Sequence, residues 1–185
     1  MKKQKNDVII NFASKASGTI VGAASVSNDW INQLKTYRNV ELTDGDTALI
    51  WIWTIAMYTE LLLARVEDIL DSKELALLES EMLNWNVKGV TNLGLEHTKD
   101  KNLLEERKVF ITETLEEVIK RARGERGKNN RTIPEIYNDF FLNSHTFGKK
   151  IPPDILSDYL VSQIESFEAR NLRNELWNKL RLLDS

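Results

Sequence analysis

The chain has 185 residues, a net charge of −3, 42% hydrophobic and 29% charged residues, and no cysteine. These values describe a globular protein of one-domain length. They exclude disulfides, thiolate zinc sites and cysteine nucleophiles, and they give no case for a general nucleic-acid binder. With only 8 Gly and 3 Pro, the chain lacks the punctuation that many short strands need. The basic start MKKQKNDVIINFAS is interrupted by Asn6 and Asp7, and its apolar run is too short for a signal peptide. With the lack of cysteine, this makes a reducing cytoplasm the expected compartment.

Residues 7–37 carry apolar positions at helical spacing, from Val8, Ile9 and Phe12 to Ile31 and Leu34. Ser14, Gly18 and Gly22 stand four apart, and small residues at that step let another helix approach closely. Glycine also weakens a helix interior by about 1 kcal/mol. The first expectation is therefore a helix broken near residues 18–22. The alternative is a close-packing helix or a mobile segment, residues 1–26, that orders on assembly. Ser27, Asn28 or Asp29 would cap a second short helix ending near Tyr37.

Thr43-Asp44-Gly45-Asp46 reads as a turn that launches the central element, Ala48 to Ala64, the longest apolar run of the chain. Every face of its first half is apolar, as in a buried core helix or a membrane span. A span needs about 20 mostly apolar residues, and here Thr54, Thr59 and Glu60 interrupt 17, with Arg65, Glu67 and Asp68 following at once. The reading is a buried helix that surfaces at its C-terminal end, with no membrane span. Asp71 and Ser72 offer a cap for a helix from about Lys73 to Asn84. Residues 86–98, with two glycines and no period, read as a loop.

Asp100 precedes an amphipathic helix with the stripe Leu104, Ile111, Leu115, Val118 and Ala122. Residues 120–131 hold Lys120, Arg121, Arg123, Arg126, Lys128 and Arg131 among glycines and asparagines. They read as a solvated loop, chiefly solubilising, with an anion or RNA contact as the functional alternative. Thr132-Ile133-Pro134-Glu135 has capping-box spacing with Pro just inside the helix start. A loop around Gly148 follows. Pro152 and Pro153 then open a last helix whose stripe, Leu156 to Leu183, would extend roughly 45 Å. The fold class is all-α: a single-domain bundle of six or seven helices, residues 1–185, with a buried central helix and a long C-terminal one.

Catalytic equipment is sparse. His97 and His145 sit in predicted loops and lack the spacing of zinc or di-iron motifs. Glu113 with Glu116, and Glu165 with Glu168, form ExxE pairs, the pattern that holds magnesium in all-α nucleotide pyrophosphohydrolases, but no ExxD follows. A carboxylate metal enzyme is thus a third alternative, and no cofactor or metal site is assigned. Gly124 to Asn129 lacks the first glycine and final Ser/Thr of a phosphate loop.

Leu172-Arg173-Asn174-Glu175-Leu176-Trp177-Asn178 resembles the RNxxxH signature of HEPN domains, all-α proteins that often act as metal-independent RNases. The resemblance implies a dimer with Arg173 in an RNA-cutting cleft. Asn178 stands at the histidine position, and an amide cannot serve as a general acid or base, so the resemblance implies RNA binding or a degenerate nuclease.

The leading expectation is a non-enzymatic cytoplasmic helical protein that binds a protein partner in an immunity, antitoxin-like or regulatory role, with a homodimer as a further form. Its candidate surfaces are Ser14, Gly18 and Gly22 and the far end of the last helix. On this reading, deleting residues 1–26 abolishes assembly and leaves the rest folded.

Overall fold

The computed structural model describes residues 2–93, 101–129 and 131–183. Among them are eight helices and no strand: α1 (Lys2–Ser25), α2 (Ser27–Arg38), α3 (Asp44–Val66), α4 (Ser72–Leu93), α5 (Lys101–Asn129), α6 (Ile133–Leu142), α7 (Pro153–Ser166) and α8 (Ala169–Arg181). The all-α class is therefore observed. The C-terminal helical segment is divided, because Phe167 is extended (φ −82°, ψ 111°) and buries its ring.

Local chemistry explains the starts of α3, α4 and α6. Thr43 and Asp46 satisfy each other at the head of α3. The Thr43 N–H donates to the Asp46 carboxylate at 2.8 Å, and the Asp46 N–H donates to the Thr43 hydroxyl at 3.1 Å. Burial pushes the Asp46 carboxyl up. The Lys150 ammonium at 2.5 Å and the two Thr43 donors outweigh it and hold the group below the ordinary carboxylate range. Asp71 caps α4 in the same way, accepting from the N–H groups of Lys73 and Glu74 at 2.8 and 2.9 Å. At α6 the expected capping box is present, with Thr132 donating its N–H to Glu135 at 2.8 Å and Pro in the first turn.

Contacts divide the chain into two compact units, to both of which α1, α3 and α5 contribute residues. The first comprises Met1–Val21, Tyr58–Glu113 and Glu168–Ser185, the second Gly22–Met57 and Thr114–Phe167.

In the first unit, α1 buries Ile9, Phe12, Ala13, Ala16 and Ile20 completely or nearly so. It is a helix without a break at Gly18 or Gly22, with one face in the core. The chain turns instead at Val26. The expected loop from residue 86 is also overturned, since α4 continues to Leu93. Asn86 is fully buried and donates to the Thr59 hydroxyl at 2.9 Å, and Val87 and Val90 are buried beside it. Gly89 serves close packing: a Cβ there would lie 3.0 Å from a methyl of Val21. Tertiary burial outweighs the local weakness of glycine. Residues 94–98 of that expected loop, with His97, and the cap expected at Asp100 lie outside the described residues.

In the second unit, α6 packs on α7. Trp53 of α3 meets Phe141 and Phe147 edge-on at 5.5 and 5.3 Å between ring centroids. Edge-to-face pairs of this kind add about 0.5–1.5 kcal/mol beyond area burial. The turn between α6 and α7 depends on Gly148, where a Cβ would lie 2.5 Å from the Phe141 carbonyl oxygen.

Helix α3 is the one described helix long and apolar enough to cross a membrane. Of that apolar window, 61% is buried within the protein, as befits a core helix. Glu60 itself is buried, and exposure begins only at Arg65.

Candidate functional site

The second unit carries a slot of about 310 Å³ between α2 and α7. Its floor is fixed by a buried chain of hydroxyls. Thr54 gives its single proton to the Ile50 carbonyl at 2.8 Å, so it accepts from the Tyr159 hydroxyl at 2.9 Å. Tyr159 in turn accepts from Ser27 at 2.5 Å. Burial pushes the Tyr159 phenol up to about 12, against the opposing pull of the Ser27 hydroxyl. Trp30 lies flat on the Tyr159 ring, with centroids 4.1 Å apart and planes 23° apart. The indole is thus held as a rigid, half-buried wall.

Val26, 59% exposed, lines the slot. Asp29 and Asp158 stand on its two sides. Among the described residues, neither side-chain carboxylate has a hydrogen-bond or ion-pair partner, and no basic residue lines the slot. Val161, 53% exposed, lies one turn from Asp158 on α7. The site therefore offers an anchored aromatic surface, exposed methyls and two unneutralised carboxylates. It suits an apolar group carrying positive charge.

The residues singled out from sequence are placed differently. Lys120, Arg121, Arg123, Arg126 and Lys128 belong to α5, not to a loop. Lys, Arg and Glu are good helix formers, and extending an existing helix needs no new nucleus, so Gly124 and Gly127 do not end it. At 3.6 residues per turn Lys120, Arg121, Arg123 and Arg126 spread around the helix and form no single patch. Arg121 lies over the Phe140 ring at 4.5 Å. Arg131 donates to the Glu135 carbonyl at 3.0 Å and pairs with Asp139.

Ser14, Gly18 and Gly22 share one face of α1, with both glycines exposed. A Cβ at Gly18 or Gly22 would meet open space. Ser14 and Gly18 also line a groove of about 300 Å³ with Trp85, whose ring carries the Lys88 ammonium at 4.6 Å.

Arg173 pairs with Asp68 through Nε and Nη2. Asn178 is exposed and stands about 140° away around α8, so the two are not brought together. His145 is exposed in the turn after α6, as are Glu113 and Glu116 on α5. Glu168 accepts from the Asn171 amide at 2.7 Å. No three described His, Asp or Glu residues are grouped to share an ion.

The α2–α7 slot was not foreseen because its walls are about 130 positions apart in the chain. A signal was present in the doublets Asp29-Trp30 and Asp158-Tyr159, each setting a carboxylate beside an aromatic ring. Comparison of the chain with protein-family models, curated proteins and solved structures gives no match.

Proposed function

We propose that this chain is a non-enzymatic cytoplasmic binding protein whose ligand is another protein, engaged through a basic amphipathic helix laid in the α2–α7 slot. An immunity, antitoxin-like or regulatory role fits that activity. The observation that carries the reading is the unpaired Asp29 and Asp158 flanking a tryptophan held rigid by its stack on Tyr159. Rigid aromatic anchors dominate protein interfaces, since they bury much area at little entropic cost. Complementary charge around them sets orientation and association rate.

The test uses two 18-residue amphipathic peptides with the same leucine face, one lysine-rich and one glutamate-rich, titrated against the full chain by calorimetry. The lysine peptide is expected to bind and the glutamate peptide not. Asp29→Asn with Asp158→Asn is expected to weaken the lysine peptide about tenfold or more, in line with the loss of two charge-assisted contacts. Equal binding of both peptides, or binding indifferent to the two substitutions, contradicts the reading.

A further inference from the structure

The first unit holds a second built feature, of opposite charge. A polar pocket of about 370 Å³ is lined by Arg65 at the end of α3, by Asp68 in the turn that follows it, and by Arg170, Arg173 and Asn174 from the first turns of α8. Arg170 and Arg173 are one turn apart and share a helix face. Asp68 binds Arg173 through two of its guanidinium nitrogens, Nε at 3.3 Å and Nη2 at 2.5 Å. This fixes the plane of the group and leaves Nη1 to donate elsewhere. Arg65 and Arg170 are exposed and have no ion-pair or hydrogen-bond partner among the described residues. Three arginines less one carboxylate leave the pocket with a charge of +2.

We infer that this pocket binds a phosphate monoester dianion, held by Arg65 and Arg170 and oriented by Arg173 and Asn174. The charge excess equals that of the dianion. Guanidinium forks match phosphate oxygens in pairs, and the Asn174 amide adds a neutral donor. The positive end of α8 strengthens the field at its first turn. Asp68 competes with the ligand: it pairs with Arg173 and lowers the field that the ligand meets.

The experiment titrates the full chain with inorganic phosphate, with phenyl phosphate and with a 5′-hydroxyl RNA oligonucleotide, following arginine side-chain signals by NMR. Phosphate and phenyl phosphate are expected to saturate and to shift the Arg65 and Arg170 signals. Binding is expected to tighten as pH rises through the second ionisation of the monoester, at about pH 6. Arg65→Gln and Arg170→Gln should each weaken it about tenfold. Asp68→Asn should strengthen it, because the competing carboxylate is gone and the Arg173 guanidinium is released to the ligand. Absence of saturable binding, or indifference to both arginine substitutions, overturns the site. Tighter binding of the 5′-hydroxyl RNA than of phenyl phosphate through the same arginines overturns the monoester assignment.

Discussion

Gly148 and Gly18 are the same residue type under opposite physical constraints. At Gly148 a methyl would press on the carbonyl oxygens of Phe141 and Leu142 at 2.5 and 2.8 Å. Gly148→Ala is therefore expected to lower unfolding free energy by about 1–3 kcal/mol, the usual cost of overpacking, as read from urea denaturation. At Gly18 and Gly22 the methyl meets open space within a helix. Gly18→Ala and Gly22→Ala should each stabilise by about 0.5–1 kcal/mol. Tyr159 gives a pH signature. Its folded phenol ionises at about 12 against 10 in the unfolded chain. Its contribution is complete below pH 10 and is lost as pH rises toward 12, by up to about 2–3 kcal/mol. Tyr159→Phe should flatten that part of the alkaline stability curve, measured by denaturation at stepped pH.

Among the elements, those with a chemical start signal were the legible ones. Thr132-x-x-Glu135 and Asp71 marked helix starts that the structure places at the same residues. Thr132→Ala should cost about 1 kcal/mol of stability, the usual worth of such a cap, by thermal or urea unfolding. The apolar run of α3 likewise disclosed a buried helix. Helix ends were less legible, because glycine and asparagine mark them only when no tertiary contact intervenes. Asn86 bonded to Thr59 and Gly89 against Val21 carry α4 on to Leu93. Helix α5 continues through Gly124 to Asn129. The break at Phe167 is invisible in the leucine stripe, since the ring is buried from an extended backbone. The binding slot was the least legible feature, because its chemistry arises only when α2 and α7 are set side by side.

For the whole molecule, the buried face of the N-terminal helix decides what its removal does. Removal of residues 1–26 takes Ile9, Phe12, Ala13, Ala16 and Ile20 out of the core of the first unit. Loss of several fully buried side chains, at about 2–5 kcal/mol for each large one, exceeds the stability of most domains of this size. The truncated chain should lose cooperative unfolding by circular dichroism, rather than fold without assembling. The two proposed sites draw on opposite charge within a chain of net charge −3: an acidic aromatic slot in one unit and an arginine pocket in the other. The occupant proposed for the Asp29–Trp30–Asp158 slot is a basic amphipathic helix. The most direct measurement is the NMR signal of the Trp30 indole N–H, assigned by Trp30→Phe, during titration with the lysine-rich peptide. A saturable shift of that signal is expected, and Asp29→Asn with Asp158→Asn should remove it. A Trp30 signal that stays in place while the peptide binds elsewhere would contradict it.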